Sequence, residues 1–210
     1  MVDTAGFLDT FLLAFFTFFA TVSPINSLII FMSLTGSYTS AERKSMAVKA
    51  SLISSVVLFV VMLCGAVVLQ FLGISMPALK TAGGLLLLLN AIGMMFGEDK
   101  ESVDLSSASV KKDITVFPLS VPIIAGPAAI TTSMLLVEKF NNIIILKGAV
   151  ALALALNMII TVVLLLLSDK LIKKIKKSVT DVFLRIAGLI LASLSVQFIF
   201  DGLKASGIFK

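Results

Sequence analysis

Long apolar runs separated by short polar segments fill almost the whole chain. Runs of about 20 apolar residues are long enough to cross, as helices, the roughly 30 Å hydrocarbon layer of a bilayer. The pattern therefore predicts an all-α membrane protein with six transmembrane helices. The spans lie near residues 7 to 34, 51 to 73, 76 to 97, 114 to 137, 142 to 168 and 181 to 203. Thr39 and Glu42 have the spacing of a capping box, so we expect the second helix to begin before its apolar run.

The third and sixth spans resemble each other at an offset of 105 residues. The matched pairs are Leu79 with Leu184, Lys80 with Arg185, Ala82 with Ala187, Gly83 with Gly188 and Gly97 with Gly202. The first and fourth spans align at an offset of 103, which places Ser23-Pro24 over Gly126-Pro127.

Each half of the chain then contains three spans. Because three is an odd number, the second half crosses the membrane in the opposite sense, as in the inverted repeats of many transporters. This predicts a first repeat over residues 1 to 97, a polar cytoplasmic loop over 98 to 113 and an inverted second repeat over 114 to 210.

The two aligned prolines interrupt apolar runs. Proline is best tolerated at the first position of a helix, and Ser or Gly before it is an acceptable N-cap. We therefore expect half-helices to begin at Pro24 and Pro127. Counting from Asp9 at the outer interface, 13 residues at 1.5 Å each bring Pro24 near the middle of the bilayer. The alternative is a pair of proline kinks that serve packing alone.

Helix N-termini inside a membrane favour anions, because their free N–H groups and positive dipole ends point at the ligand. A carboxylate suits two such termini that face the midplane from opposite sides. Small and polar side chains around the breaks leave room for a ligand. The predicted substrate-binding residues are Ser23, Pro24, Ile25, Asn26, Ser27, Gly126, Pro127, Ala128, Thr131 and Thr132. The hydroxyls of Thr131 and Thr132 can equally bond their own helix backbone.

Composition supports an integral membrane protein and removes several chemistries. Hydrophobic residues make up 59% of the chain, charged residues 14%, and the mean hydropathy is +1.12. There is no His, and Cys64 is the single cysteine, so a Cys/His zinc site, an imidazole base and an intrachain disulfide are excluded. We expect no enzyme activity, no metal site and no cofactor. An amide inside a span, such as Asn90 or Asn157, is expected to bond to a neighbouring helix.

Positive charge is concentrated in alternate loops, and the positive-inside rule then places those loops in the cytoplasm and both termini on the outer face. The cytoplasmic set is Arg43, Lys44, Lys49, Lys100, Lys111, Lys112, Lys170, Lys173, Lys174, Lys176 and Lys177. Orientation and contact with anionic lipid explain the lysine-rich fifth loop, with protein docking as the alternative. A nucleic-acid partner is not expected. The N-terminus lacks a positive segment, so the first run is interpreted as a retained span.

Three blocks of sequence resemble the MarC family of integral membrane proteins. They are "FATVSPINSLIIFMSLTGSYTSAERKSMAVKA", "KTAGGLLLLLNAIGMMFG" and "FPLSVPIIAGPAAITT". The resemblance implies a six-span inner-membrane protein with two interrupted helices. In the branch formed by archaeal small neutral amino acid transporters it implies transport of glycine, alanine and similar substrates, with contacts from Pro24, Ile25, Asn26, Gly126, Pro127 and Ala128. Many members carry Asp before the first proline, where this chain has Ser23.

The sequence therefore predicts a transporter of small neutral amino acids that contacts membrane lipids. An exporter of another metabolite or drug, and a non-transporting membrane protein, are the alternatives. Coupling to Na⁺ held by backbone carbonyls, uncoupled movement and a homo-oligomeric state all stay open.

Overall fold

The computed structural model describes residues 4–96, 115–140, 143–171 and 177–207, and every element in these ranges is helical. The predicted polar loop 98–113 lies outside the described residues, as do most lysines of the fifth loop. The elements are α1 (Thr4–Val22), α2 (Pro24–Leu34), α3 (Ser40–Phe71), α4 (Met76–Phe96), a π-helix (Thr115–Ile124), α5 (Pro127–Lys139), α6 (Ile144–Leu166), the single turn α7 (Ser168–Leu171) and α8 (Lys177–Ala205).

Helix α3 begins with the predicted capping box. The Thr39 hydroxyl accepts a hydrogen bond from the Glu42 N–H, and the Thr39 N–H donates to the Glu42 carboxylate at 2.7 Å. Two backbone N–H groups at the start of the helix are thereby satisfied. The helix therefore starts at Ser40, well before the apolar run at residue 51, because hydropathy marks the membrane-embedded part of a helix and not its end.

The outer surface of α3 is more apolar than its buried face. Small and polar residues such as Ala50, Ser54 and Gly65 point into the protein. Large apolar side chains at helical spacing face outward: Leu52, Val56, Val60, Leu63 and Val67. A soluble protein would bury these side chains, whereas lipid solvates them and leaves small residues to form the helix contacts.

Five helical segments in the described part of the chain are long and apolar enough to cross a membrane. They are Gly6–Leu34, Ser40–Phe71, Met76–Phe96, Ile144–Leu166 and Leu184–Ala205. The fourth predicted span, residues 114 to 137, corresponds to the π-helix and α5, each of which is shorter than a span. Five of the six predicted spans thus have a counterpart of sufficient length and hydropathy.

Helices α4 and α8 pack along their length through glycines. A Cβ added to Gly84 would lie 2.8 Å from the carbonyl oxygen of Ser195, and one added to Gly188 would lie 3.0 Å from that of Ala91. These reciprocal contacts relate the two helices by an offset of 104 residues. This offset is one residue less than the 105 at which the sequence aligns Gly83 with Gly188.

The two halves of the chain make matching contacts. Helices α1 and α2 pack against α6, while the π-helix and α5 pack against α3. Helix α1 contacts α5, α2 contacts the π-helix, and α3 packs directly on α6. The core between these helices contains Phe18, Phe31, Leu58 and Leu154, all fully buried. Each half thus places the helix preceding a proline break against the middle helix of the other half.

Candidate functional site

Ser23 joins α1 to α2 in the left-handed conformation, with φ 49° and ψ 64°. Its N–H donates to the Phe19 carbonyl at 3.1 Å, and its carbonyl accepts from the Ser27 N–H at 2.9 Å. Ser23 thus ends one helical ladder and starts the next. Ser23 is the N-cap residue of α2, as expected, but its side chain makes no capping hydrogen bond. The change of direction comes from the backbone, which turns at a single residue.

The junction satisfies part of its own backbone. The Ser27 hydroxyl, buried, donates to the Val22 carbonyl at 3.2 Å and so replaces a lost helical donor. Pro24 has no N–H, so the Ala20 carbonyl has no donor four residues later. The first N–H groups of a helix have no intrahelical acceptor, which leaves those of Ile25 and Asn26 free for another partner. Both residues are partly buried.

The second junction has a different backbone. Gly126 is extended, with φ −76° and ψ 168°, and its carbonyl accepts from the Ile130 N–H at 3.0 Å. The N–H groups of Ala128 and Ala129 are the free donors of α5, because Pro127 has none. Ala128 and Ala129 are buried, and Pro127 is exposed. Both α2 and α5 begin at their proline, as predicted, and both are preceded by a residue without a side-chain cap.

A π-helix precedes the second junction. The Ala125 N–H donates to the Ser120 carbonyl, five residues back, at 2.9 Å. Pro118 and Pro122 lack the N–H groups that an α-helical ladder needs at these positions. This wider helix was not predicted from the sequence, although two prolines four residues apart are the local signal for a broken ladder. Short π-helical segments are frequent at functional sites.

The predicted residues Thr131 and Thr132 have different environments. The Thr131 hydroxyl donates to the Pro127 carbonyl at 2.9 Å, and its methyl group faces Gly83 of α4. The Ser133 hydroxyl donates to the Ala129 carbonyl of the same helix in the same way. Thr132 lies between them, is fully buried, and its hydroxyl has no partner in the described structure. Thr131 therefore bonds its own helix, whereas Thr132 keeps its hydrogen-bonding capacity.

Asn157 and Ser54 connect the middle helices to the opposite halves. The Asn157 amide NH₂ lies 3.1 Å from the Phe15 carbonyl of α1 and 2.9 Å from the Ala153 carbonyl. The Ser54 hydroxyl lies 3.1 Å from the Ser120 carbonyl of the π-helix. The interhelical bond expected for Asn157 is confirmed. Ser54 was not recognised, although its position 103 residues before Asn157 is a sequence signal that it shares with the aligned prolines.

Three fully buried side-chain oxygens have no hydrogen-bonding partner within the described ranges: Ser51 Oγ on α3, Thr132 Oγ1 on α5 and Asn157 Oδ1 on α6. Most other hydroxyls of the described helices donate to a carbonyl of their own helix, as Thr17, Thr35 and Thr161 do. An unpaired buried polar atom costs about 1 to 3 kcal/mol, so each is a candidate ligand contact.

The two junctions lie in elements that contact each other. Helix α2 packs on the π-helix, and α1 packs on α5, so both sets of predicted site residues belong to the same bundle. A groove of about 390 Å³ lies elsewhere, between α4 and α8, and is lined by residues such as Pro77, Thr81 and Leu203. It contains none of the predicted site residues. Within the described ranges, no group of three or more Cys, Asp or Glu side chains has metal-binding geometry.

An ion pair lies at one end of the α3–α6 packing. The Arg43 guanidinium lies 2.9 Å from the Asp169 carboxylate, whose other oxygen accepts from the Ser40 hydroxyl at 2.9 Å. Arg43 and Ser40 start α3, and Asp169 belongs to α7, so this cluster connects the two halves of the chain.

A surface rich in exposed apolar side chains, several helices long enough to span a bilayer, and buried polar side chains that bond helix carbonyls define a multi-pass integral membrane protein. Comparison with known sequences gives the same class. The chain matches the family described as MarC family integral membrane protein over residues 8–206, and it belongs to that family. The resemblance noted in the sequence is thereby confirmed.

Relatives span almost the full length of the chain. A UPF0056 membrane protein of Archaeoglobus fulgidus is 32% identical over 96% of this chain and 96% of its own length. The UPF0056 membrane protein YhcE of Escherichia coli is 31% identical over 100% and 98%, and YvbG of Bacillus subtilis is 34% identical over 90% and 92%. No solved structure matches the chain significantly.

Proposed function

We propose that this protein carries small neutral amino acids, of the glycine, alanine and serine type, across the inner membrane. The substrate carboxylate binds between the N-termini of α2 and α5. One observation carries the proposal: two helices begin at a proline inside the apolar bundle, and each leaves free backbone N–H groups. In hydrocarbon such groups need a partner, and a carboxylate is the partner that a helix N-terminus favours.

The proposed architecture is an inverted repeat of three plus three spans, with the first and fourth spans interrupted near the bilayer midplane. Its support is the matching set of contacts in the two halves and the reciprocal approach of Gly84 and Gly188. The fourth span is the π-helix together with α5. The charge distribution supports outward-facing termini, which also puts the Arg43–Asp169 pair on the cytoplasmic side.

The residues around the junctions favour a small and electrically neutral substrate. None of the ten predicted site residues carries a charged side chain, and Gly126, Ala128 and Ala129 leave little bulk near the second terminus. A zwitterion has no net charge to move into a low-dielectric interior, which lowers its desolvation cost relative to an ion. No enzymatic role and no cofactor are proposed.

The test uses the purified full-length protein in proteoliposomes. We expect saturable uptake of radiolabelled alanine, which glycine and serine inhibit. Alaninamide, which keeps the ammonium and methyl groups but lacks the carboxylate, should neither inhibit uptake nor stabilise the detergent-solubilised protein. Asn26→Leu, which blocks the first turn of α2, should abolish uptake while leaving a folded protein.

Absence of both flux and thermal stabilisation for every neutral amino acid would overturn the proposal. A stabilising metabolite or drug without an amino acid group, found in the same thermal screen, would favour an exporter of that molecule.

A further inference from the structure

Asn157 has an amide oxygen that the fold leaves unused. The side chain is fully buried in α6, and its NH₂ group is fixed by the Phe15 and Ala153 carbonyls. Because a carbonyl cannot donate, these two acceptors settle which end of the amide carries the hydrogens. Oδ1 must therefore point away from both, and no donor reaches it in the described structure.

The equivalent position in the first half leaves no such oxygen. Ser54 lies 103 residues earlier, and its hydroxyl is within hydrogen-bonding distance of the Ala50 carbonyl in its own helix and of the Ser120 carbonyl in the π-helix. A serine performs the anchoring role with a single hydroxyl. The additional oxygen of Asn157 is therefore not needed to hold α6 against α1. It gives α6 an unpaired hydrogen-bond acceptor that α3 does not have at Ser54.

Contacts along the bundle place Asn157 near the start of α5. The Arg43–Asp169 ion pair joins one end of the antiparallel helices α3 and α6. Ser54 lies eleven residues along α3 from Arg43, and Asn157 lies twelve residues before Asp169. Ser54 and Asn157 are therefore nearly level along the bundle. Gly65 of α3 faces Met134 of α5. Counting back from this contact along both helices puts Pro127 about one to one and a half turns beyond Ser54, on the side towards Gly65. The rise between the two levels is roughly 6 to 8 Å.

This rise along the bundle axis is within the span of a zwitterion. From standard bond lengths and two hydrogen bonds of about 2.9 Å, an α-amino acid bridges at most roughly 9 Å between a backbone N–H and a side-chain oxygen. Helix α1 packs on both α5 and α6, which holds the two groups in one part of the bundle. We propose that Asn157 Oδ1 accepts a hydrogen bond from the substrate's α-ammonium group while the carboxylate is held at the N-terminus of α5. This inference rests on the proposed function.

The chain supplies its own matched variant. Asn157→Ser copies the residue found 103 positions earlier, so it keeps one O–H donor for the Phe15 or Ala153 carbonyl and removes the amide oxygen, leaving only a hydroxyl oxygen closer to the backbone of α6. Ser54→Ala is the control, because it removes the equivalent anchor where no acceptor is spare. Binding of radiolabelled alanine to the detergent-solubilised full chain is measured by equilibrium dialysis, with propionate, which has no ammonium group, as a competitor.

In the wild type, alanine should bind more tightly than propionate. Asn157→Ser should weaken alanine binding roughly tenfold or more, the scale of a hydrogen bond to a charged group, and leave propionate binding unchanged. Ser54→Ala should keep the ratio of alanine to propionate affinity. Unchanged alanine binding in Asn157→Ser, or an equal loss for both ligands, would overturn the assignment.

A second measurement keeps the assignment testable if Asn157→Ser does not fold. N-trimethylated alanine keeps the positive charge but has no N–H to donate, so it should bind the wild type roughly tenfold or more weakly than alanine does. N-methylated alanine, which is bulkier than alanine but retains two N–H donors, serves as the size control and should bind more tightly than the trimethylated form. Equal binding of the three compounds would contradict the inference. If the wild type binds no amino acid at all, the proposed function itself fails.

Discussion

Ser54 on α3 and Asn157 on α6 lie 103 residues apart and make similar hydrogen bonds. Each lies within hydrogen-bonding distance of the carbonyl four residues before it, Ala50 or Ala153, and of a carbonyl in the other half, Ser120 or Phe15. The helices that precede the two junctions are thus each held by a polar side chain of a middle helix. Such bonds between membrane helices stabilise by about 0.6 to 2 kcal/mol each.

The glycine contacts between α4 and α8 predict a position-specific effect of adding a methyl group. Gly84→Ala and Gly188→Ala should each lower the free energy of unfolding by about 1 to 3 kcal/mol, because the new Cβ meets a backbone carbonyl that cannot move aside. Thermal unfolding in detergent measures the change.

Gly148→Ala is the control for that experiment. Gly148 lies in α6 with nothing within 4 Å of an added Cβ, so Ala should be neutral or stabilise by up to about 1 kcal/mol through helix propensity. Equal effects at positions 84 and 148 would show that the α4–α8 contact is looser than described.

The left-handed backbone of Ser23 predicts which substitutions it accepts. Ser23→Gly should stabilise by up to about 1 kcal/mol, because glycine adopts a positive φ without the cost that other residues bear. Ser23→Val should destabilise by more than about 1 kcal/mol, since its branched Cβ opposes this conformation. Chemical unfolding followed by circular dichroism provides the measurement.

Ser23→Ala tests whether the backbone conformation or the side-chain hydroxyl of Ser23 stabilises the junction between α1 and α2. With no capping bond to lose, this variant should unfold within about 0.5 kcal/mol of the wild type. A much larger loss would mean that the Ser23 hydroxyl holds the junction together.

Thr132 predicts opposite changes in stability and in ligand binding. Thr132→Val removes an unpaired buried hydroxyl at nearly constant volume, so the ligand-free protein should gain about 1 kcal/mol or more. If that hydroxyl contacts the substrate, thermal stabilisation by alanine should fall at the same time. Thr131→Val, which loses the bond to Pro127, should instead destabilise by about 0.5 to 1.5 kcal/mol and leave ligand stabilisation unchanged. A loss of stability in Thr132→Val would contradict the unpaired state of its hydroxyl.

The Arg43–Asp169 pair predicts a coupling between the two halves. Arg43→Gln and Asp169→Asn, combined in a double-mutant cycle, should show a coupling energy of about 0.5 to 1 kcal/mol that weakens at high salt, because both side chains are partly exposed. Lys44→Gln, which changes the neighbouring exposed cation, is the control and should show no coupling with Asp169→Asn.

The sequence predicts the features that short segments determine. Proline at the first helical position and the Thr39–Glu42 capping box act within a few residues, and the starts of α2, α3 and α5 follow from them. The left-handed Ser23 was not predicted, because its conformation depends on how α1 and α2 are held by α6.

Features that depend on packing required the structure. The distinction between Thr131 and Thr132 depends on where α4 approaches α5, which no local pattern encodes. The sequence alignment and the packing of α4 on α8 give offsets that differ by one residue, because apolar segments align almost as well at neighbouring offsets. That each proline break interrupts a single membrane span stays a prediction.

The π-helix Thr115–Ile124 links the order of synthesis to membrane insertion. Its two prolines cannot donate, so this stretch brings carbonyls into hydrocarbon without a full set of internal donors. One donor comes from Ser54 of α3, which the ribosome makes more than sixty residues earlier. The earlier helix is therefore already in the bilayer when the proline-rich stretch arrives. A circular permutant that reverses this order would deliver the stretch to lipid before its partner exists.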